Sequence, residues 1–511
     1  MRTPHSLEGA EGGSPAPFRP PRGGRGGRGV RGGRGGRGAF AWPTRPNACQ
    51  TTSPNPPSPT PQTPPPPLGK LVQTLETKDL KDLSQTFTDS ATIQHVETIT
   101  SYNWADKKGA ESTILVPGKP PLWAPPKTPP QLSQDNGYYF RDKNAARYPK
   151  HPIEPAVVAC LATDASLAAK VDIVACGSTL GNLLRLVRGQ DRTFRMLVEK
   201  VSNTVFLVRR ENSPTELIPD VRGYGHTFPE AYTTWEPEVK GSASHQRLLR
   251  YSFAGLSLII RAEADGYLKE SDPTKSANID HPSFGLDNQG VSLDGLASAL
   301  SDVSVSPLVG KLSTTVQVTA GGNAVDQRQV FELKTRTILT KLTKDHLDEE
   351  LPRLWVSQIP NFILAFHTRG LFESEDIQIK NVRADIDKWE KDHAADLACL
   401  AALVRRILEV VSASEEGKLE LCCTEVGRLE VREQLPGTAD VLSPEVRARW
   451  EEASDLPLDV LCDGENDNSE VHGQAIEESL KEDNGLVWND NFDKDYTGCS
   501  DACGYCGRCT Y

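Results

Sequence analysis

Two pairs of charged residues in the middle of the chain have the types and the spacing that phosphate chemistry needs. Glu263 and Asp265 stand two residues apart at the end of an apolar run, and Glu332 and Lys334 stand two residues apart in a later one. Side chains at positions i and i+2 of a strand share a face, so each pair presents both charges on one side. Three carboxylates and one ammonium on adjacent strands can hold one or two Mg²⁺ ions at a phosphodiester, with the lysine stabilising the phosphorane. The alternative is that the pairs have no function and belong to two strands whose polar edges face solvent.

The elements that must position these pairs form a mixed α/β pattern of strands, then a helix, then a strand. Alternating apolar residues predict a hairpin over residues 194–209, with a turn at Ser202-Asn203, and another over 247–262, with a turn near Ala254-Gly255. Further strands are predicted at 312–319, 329–335 and 361–367, and helices at the end of 172–188 and over 341–358 and 384–411. The second charged pair therefore lies on a strand just before a helix.

Four segments resemble, in the same order, the motifs of the DXO-type family of RNA decapping nucleases and 5′–3′ exonucleases. They are Phe194-Arg195-Met196 with Val198-Glu199-Lys200, the segment GYGHTFPEAY at 223–232, AEADG at 262–266 and ELKT at 332–335. The segment LWVSQ at 354–358, followed by a proline and the strand at 361–366, is similar to the helix and strand that come next in the family. The resemblance spans roughly residues 144–372.

The resemblance implies a PD-(D/E)xK-like nuclease core, in which helices flank a mixed β-sheet, with Mg²⁺ or Mn²⁺ as cofactor and RNA as substrate. Carried over residue by residue, it implies the metal ligands Glu230, Glu263, Asp265 and Glu332, and the catalytic residues Lys334, Glu332, Gln358 and Arg195. The extra residue Pro229 shifts the second motif, so Glu236 is an alternative to Glu230. The long interval between Asp265 and Glu332 predicts a surface insertion over about 269–308.

Two functions remain open for such a chain. The first is a hydrolase that processes RNA 5′ ends by decapping or pyrophosphohydrolase and exonuclease activity. The alternative is a catalytically lapsed protein of the same fold that binds RNA or a 5′–3′ exonuclease partner. The sequence has no DDxxD motif, Walker A loop, HExxH motif or GxSxG elbow, which argues against prenyl-diphosphate, kinase, zincin and α/β-hydrolase chemistry.

Charge is distributed unevenly along the 511 residues, whose formal net charge is −12. Residues 1–68 hold nine Arg and two Glu, whereas residues 412–511 hold eight basic and twenty-four acidic residues. Such asymmetry predicts a basic arm for a polyanion and an acidic tail on either side of a globular middle. The predicted division is a disordered arm (1–42), a Pro-rich linker (43–68), a nuclease-like domain (69–411), an acidic, partly helical tail (412–495) and a Cys-rich segment (496–511).

The arm repeats an arginine at every third position, mostly as Arg-Gly-Gly. The residues are Arg22, Arg25, Arg28, Arg31, Arg34 and Arg37. Almost nothing apolar is available to bury, so the arm is predicted to be disordered, and each guanidinium can contact phosphates or stack on bases. The repeat resembles an RGG box, which makes RNA the expected partner; the alternative is a solubilising tail.

The sequence also indicates where the protein is located. No apolar run reaches the ~18 residues of a membrane helix and no apolar h-region begins the chain, so neither membrane insertion nor secretion is expected, and the arm favours the nucleus over the cytoplasm.

Four thiols lie close together in the last residues, at Cys499, Cys503, Cys506 and Cys509. Four thiolates can surround Zn²⁺ tetrahedrally, which predicts a zinc site; a redox tail or a partner-binding segment is the alternative.

Overall fold

A computed structural model of the chain describes residues 64–106, 112–218, 221–269 and 316–455. The predicted Arg-Gly-Gly arm and Cys-rich segment lie outside the described residues, as do nearly all of the predicted linker and insertion. The described residues therefore cover the predicted middle domain and the first part of the predicted acidic tail.

The described residues form two β-sheets. The larger sheet has eleven strands: β1 (Leu71–Glu76), β2 (Ile93–Ala105), β3 (Thr113–Gly118), β5 (Ile173–Cys176), β6 (Phe194–Val201), β7 (Thr204–Arg209), β9 (Ser242–Phe253), β10 (Leu256–Glu263), β12 (Gln317–Gly322), β16 (Lys418–Glu425) and β17 (Arg428–Glu433). The smaller sheet has six: β4 (Leu122–Trp123), β8 (Thr233–Thr234), β11 (Gly266–Tyr267), β13 (Val330–Thr337), β14 (Asn361–His367) and β15 (Ile377–Asn381). The helices are α1 (Lys81–Ser84), α2 (Lys143–Arg147), α3 (Glu154–Thr163), α4 (Gly177–Val187), α5 (Thr227–Tyr232), α6 (His346–Ser357), α7 (Arg383–Asp392), α8 (Ala394–Ala413) and α9 (Pro444–Ser454).

Helices cover both faces of the larger sheet, whose spatial order is β1-β17-β16-β6-β7-β5-β10-β9-β2-β3-β12. In β5, Ile173 and Ala175 join the core on one face, together with α4, α6 and α8. Val174 and Cys176 join the core on the other face, together with α3 and α9. A strand that is buried on both faces is apolar throughout, which explains the continuous run Ile-Val-Ala-Cys. Because β5 runs parallel to β7 and β10 while the hairpins are antiparallel, the predicted mixed α/β class is confirmed.

The local predictions hold where hydrophobic periodicity is strong. Both predicted hairpins form, as β6–β7 and β9–β10, and Ser202 and Ala254 have positive φ angles in their turns. The helix predicted over 384–411 is instead two helices, because His393 leaves the helical conformation and its ring stacks on Trp389 at 4.5 Å. Of the strand predicted at 312–319, residues 312–315 lie outside the described residues, and the described part forms a strand from Gln317.

The structure differs from the predicted division at residue 412. Strands β16 and β17 extend the larger sheet, and α9 packs against it through the buried Trp450. In β16, Leu419 and Leu421 face the core, while Glu420 between them is also buried. Because these strands and α9 pack in the core, the folded domain continues to at least residue 455. The many acidic residues of this region hide the alternation of apolar residues in the sequence.

The chain passes from the larger to the smaller sheet at the end of β10. Ala264 and Asp265 connect β10 to β11, which pairs with β13 by placing Gly266 opposite Phe331. A Cβ atom on Gly266 would lie 2.4 Å from the ring of Phe331 and 2.7 Å from the carbonyl oxygen of Pro121, so a side chain cannot fit here. The glycine thus allows the two sheets to meet beside the Glu-x-Asp pair.

Candidate active site

A cleft of about 200 Å³ opens where the two sheets meet. Its charged lining side chains are the carboxylates Glu230, Glu263 and Asp265 and the cations Lys143, Lys334 and Arg336. These come from α5, the end of β10, α2 and β13. Four of the residues predicted from the sequence (Glu230, Glu263, Asp265 and Lys334) therefore line one cleft, and Glu332 lies on β13 two residues before Lys334.

Glu263 and Asp265 are held by different partners although they line the same cleft. Glu263 is the last residue of β10, and its Oε1 atom accepts a hydrogen bond of 2.9 Å from the ammonium of Lys143. Asp265 lies beyond the strand and turns towards the smaller sheet, where its Oδ2 atom accepts a hydrogen bond of 2.8 Å from the backbone N–H of Leu333. This last bond ties the Glu-x-Asp segment directly to the strand that carries the second charged pair.

Glu332 and Lys334 are buried in a network of charges between β13 and α6. Their side chains are only 1% and 4% exposed, and the Lys334 Nζ atom lies 3.6 Å from Oε1 of Glu332. On α6, Arg353 Nη1 lies 3.0 Å from the same Oε1 atom, and the buried Glu350 lies 3.7 Å from Lys334 Nζ. Arg336 extends the network to Glu350 at 3.8 Å. Oppositely charged partners on both sides compensate each buried charge in part.

The Glu332 carboxyl group has the most strongly altered acidity of this network. Burial raises its pKa to about 8, with Arg353 opposing the shift and Asp265 adding to it. Neither carboxylate oxygen has a hydrogen-bond partner among the described residues, and the cations nearest to Oε1 are those of Arg353 and Lys334. A buried carboxylate with unused oxygen lone pairs is a group that can accept a proton or a cation.

Lys143 enters the cleft from α2, a short helix with a well-defined start. Asp142 caps α2, because its Oδ1 atom accepts hydrogen bonds from the backbone N–H groups of Asn144 and Ala145. Partial burial lowers the pKa of Lys143, but the contact with Glu263 outweighs this effect, and the pKa lies above its ordinary value. Lys143 is therefore a charged ammonium at the wall of the cleft, where its side chain is 30% exposed.

The two alternatives for the second motif lie in different places. Glu230 is exposed on α5 at the edge of the cleft. Glu236 forms an ion pair with Lys119 and accepts a hydrogen bond of 2.6 Å from the hydroxyl of Tyr267, and it is not among the residues that line the cleft. The geometry therefore favours Glu230, in spite of the extra residue Pro229.

Arg195 and Gln358, expected from the resemblance to be catalytic, do not line the cleft. Arg195 lies on β6, where its guanidinium pairs with the buried Glu420 at 2.6 Å and donates a hydrogen bond to the carbonyl oxygen of Pro66. Gln358 ends α6 in the left-handed conformation, and its amide oxygen accepts a hydrogen bond of 2.8 Å from Arg383. Both side chains hold elements of the fold together, and their catalytic role stays a prediction from the resemblance.

Aromatic rings stand beside the charges. Trp235 lines the cleft, and His226, which also lines it, stacks on Tyr139 with ring centroids 3.5 Å apart and planes 6° from parallel. Burial, followed by the charge of Lys143, lowers the pKa of His226 to about 3, so its imidazole is neutral. The backbone N–H groups of His226 and Thr227 donate hydrogen bonds to the carboxylate of Asp135, which fixes the start of α5.

Sequence reasoning did not single out Lys143, Glu350 or Arg353. Lys143 precedes Glu263 by more than a hundred residues and belongs to no motif, so nothing in the sequence signals its position. Glu350 and Arg353 did offer a signal: they are charged residues three apart on the helix that packs behind the ELKT strand. Side chains at that spacing share a helix face, and here they share the one that faces Lys334 and Glu332.

Two features are absent from the described residues. In these residues no group of three or more His, Cys, Asp or Glu side chains is already placed to hold a metal ion. In the same part of the chain, no helix has the length and the apolar character needed to cross a membrane.

Comparison with known proteins gives one family and a set of similar folds. The family model described as a domain of unknown function (DUF8563) matches residues 72–425. None of the curated protein sequences matches the chain.

Among solved structures, the chain is similar to S. pombe Rai1 in complex with 3′-FADP, with 10% identity over 71% of this chain and 99% of that one and a TM-score of 0.42. It is similar to Candida albicans Rai1 in complex with pU5-Mn²⁺, with 11% identity over 72% of this chain and 98% of that one and a TM-score of 0.45. It is also similar to K. lactis Dxo1 in complex with manganese, with 10% identity over 72% and 99% and a TM-score of 0.41. At such identities and TM-scores, these likenesses show neither an activity nor a role for this chain.

Proposed function

This chain belongs to the DUF8563 family, and we propose that it is a hydrolase that cleaves phosphate bonds near the 5′ end of RNA with Mg²⁺ or Mn²⁺ as cofactor. One observation carries the proposal: Glu263, Asp265 and Lys334 line one cleft, and Glu332 pairs with Lys334 at 3.6 Å. Carboxylates beside a buried ammonium are the groups that metal-assisted hydrolysis of a phosphate ester needs.

The chemistry of the donor set fits a hard divalent cation. Glu230, Glu263, Asp265 and Glu332 offer carboxylate oxygens, the ligands that Mg²⁺ and Mn²⁺ prefer. The Oε2 atom of Glu332 supports this fit most directly, because it is buried and lacks a hydrogen-bond partner among the described residues, whereas Oε1 already lies 3.0 Å from Arg353 Nη1. When bound, the ion would supply a water of lowered pKa and would neutralise charge on the phosphate.

Lys334 has the position for a phosphate-stabilising role. Its side chain is 4% exposed, and Glu332 and Glu350 fix the ammonium from two sides at 3.6 and 3.7 Å. An ammonium held in this way is preorganised, so it can stabilise negative charge that develops on the phosphorus oxygens without a rearrangement. Arg336 also lines the cleft and would bind a neighbouring phosphate oxygen.

Three features support RNA, and its 5′ end, as the substrate. The cleft of about 200 Å³ has room for a phosphate group and a few waters. Trp235 and the stacked pair of His226 and Tyr139 offer aromatic faces for unpaired bases. The Arg-Gly-Gly repeat supplies cations for a polyanion. The 5′ end, and with it decapping or pyrophosphohydrolase and exonuclease activity, rests on the motif resemblance.

The test is hydrolysis of RNAs that differ only at the 5′ end. The purified full chain is incubated with 5′-monophosphate, 5′-triphosphate and capped RNA of one sequence, with Mn²⁺ or with a chelator, and the products are separated by size. We expect hydrolysis of at least one RNA with Mn²⁺ and none with the chelator. Glu332→Gln should reduce the rate by about 100-fold or more, because metal stabilisation is worth several kcal/mol and each ~1.4 kcal/mol is a factor of ten.

Glu416→Gln is the matched control, because Glu416 is exposed and does not line the cleft. It should keep the wild-type rate. Hydrolysis of none of the three RNAs, or equal rates in Glu332→Gln and the control, would overturn the proposal.

A further inference from the structure

A positive charge is already present where a divalent cation would meet Glu263. The ammonium of Lys143 donates a hydrogen bond of 2.9 Å to Oε1 of Glu263, and its side chain lines the same cleft as Asp265. Its charge also acts on Asp265 and on His226. Lys143 therefore compensates the carboxylates at this end of the cleft before any ion arrives.

The position of Lys143 is set by buried neighbours and not by chance contact of a surface chain. Asp142 caps α2 immediately before Lys143, and Asn144 follows immediately after it. The amide oxygen of Asn144 accepts hydrogen bonds from the buried side chains of Tyr102, at 3.2 Å, and Trp104, at 2.8 Å. The backbone on both sides of Lys143 is thus anchored, which keeps the ammonium at Glu263.

Carboxylates and cations are interleaved in the described residues around the cleft. The carboxyl groups are Glu230, Glu263, Asp265, Glu332, Glu349 and Glu350, and the cations are Lys143, Lys334, Arg336 and Arg353. Lys143 is the cation that contacts Glu263. Like charges a few ångströms apart in a partly buried site repel strongly, so a second ion and Lys143 would compete for Glu263.

We propose that the ammonium of Lys143 is a permanent cation of the site that holds Glu263 in place of a second metal ion, so that the chain uses a single divalent ion. The inference rests on the proposed function, since it concerns how that site meets its cofactor. In two-metal sites two ions clamp the attacking and leaving oxygens. Here, Lys143 would supply the second positive charge.

The test measures Mn²⁺ binding directly, without RNA and without activity. Mn²⁺ is titrated into the full chain, and free Mn²⁺ is followed by its electron paramagnetic resonance signal. The wild type should bind one Mn²⁺ that is lost in Asp265→Asn, which assigns the ion to this cleft. Lys143→Met keeps the length of the side chain but removes the charge, and it should bind that Mn²⁺ at least about tenfold more tightly or bind a second one. Lys143→Arg keeps the charge and should behave like the wild type.

Lys81→Met is the control for a general change in net charge, because Lys81 is exposed on α1 and does not line the cleft. The inference would be overturned if the wild type bound two Mn²⁺ ions and Asp265→Asn lost both. It would also be overturned if Lys143→Met bound Mn²⁺ as the wild type does, or if neither protein bound any. Mn²⁺ bound by Lys143→Met but not by the wild type would mean that Lys143 excludes every ion, which would overturn the single-ion inference and refute the metal dependence proposed above. Circular dichroism shows whether each variant is folded.

Discussion

Glu332 is a carboxyl group that the fold buries among charges of both signs. Arg353 and Lys334 favour its ionised form, whereas burial, Asp265 and Glu350 favour the protonated form. Burial dominates, which raises the pKa to about 8. A neutral Glu332 removes one negative charge from a crowded network, which lowers the free-energy cost of assembling it.

We expect the free energy of unfolding of the metal-free wild type to fall relative to that of Glu332→Gln as the pH rises from about 5 to 8. The unfolded carboxyl group titrates near 4.5 and the folded one near 8, so in this window the folded state holds a proton that the unfolded state has lost. The stability from this protonated group is therefore lost as pH rises, by up to ~1.4 kcal/mol for each pH unit.

Urea unfolding with a chelator, measured for both chains at several pH values, gives this difference directly. Glutamine has a similar shape but does not titrate, so it serves as the reference. A difference that stays constant across the window would contradict a buried, protonated Glu332.

Individual residues could be predicted from the sequence where chemistry depends on local spacing. The pair Glu332–Lys334 was visible because two residues on one strand face one way, and Glu263–Asp265 was visible from its spacing although Asp265 lies beyond the end of β10. Lys143 and Arg353 were not, because their contacts with these carboxylates depend on how α2 and α6 pack against the strands. The ion pair of Arg195 was invisible for a related reason: its partner, Glu420, lies on a strand far along the chain.

Among the elements, regular hydrophobic patterns gave correct predictions and mixed ones did not. Both hairpins and α4 follow clear periods of two and of 3.6 residues. Strands β16 and β17 were missed because acidic residues alternate with their apolar ones, and Glu420 is buried only because Arg195 and Arg210 pair with it at 2.6 Å. The division into two sheets was also invisible, since it depends on the close approach of Gly266 to Phe331.

Helix α9 gives a test of the revised domain boundary. Trp450 is fully buried, its ring centroid lies 5.6 Å from that of Phe206, and its Nε1 atom donates a hydrogen bond of 3.3 Å to Thr204. We expect Trp450→Ala to lower the free energy of unfolding by about 3–5 kcal/mol, the usual cost of removing a buried tryptophan. Urea unfolding measures the loss.

Glu445→Gln is the control, because Glu445 is exposed on the same helix and should change stability by less than about 0.5 kcal/mol. Equal stability of the two variants would mean that α9 lies outside the cooperative unit.

On the scale of the whole molecule, charge is separated between regions that the structure describes only in part. The Arg-Gly-Gly repeat lies outside the described residues, so its role remains a prediction from the sequence. We expect deletion of residues 1–42 to weaken RNA binding and to flatten its salt dependence while RNA hydrolysis continues. Each arginine that displaces a counterion from single-stranded RNA contributes about −0.7 to the slope of log affinity against log salt.

Binding of one single-stranded RNA to the full chain and to the deletion, measured over a range of salt concentrations, gives the two slopes. Substitution of the six repeat arginines by glutamine in the full-length chain is the matched control for the loss of length. Identical slopes in all three proteins would remove the arm from the RNA contact.

The pairing of β1 with β17 has a consequence for how the protein is made. Leu75 near the start of the described chain lies opposite Leu429 near its end, and the backbone N–H of Glu433 donates a hydrogen bond to Lys70. A nascent chain on the ribosome cannot close this edge until β16 and β17 have been synthesised, so β6 keeps an open edge and Arg195 lacks Glu420 throughout most of translation. Unpaired strand edges recruit other strands. Until the C-terminal strands are made, the open edge of β6 is therefore a place where the nascent chain can aggregate.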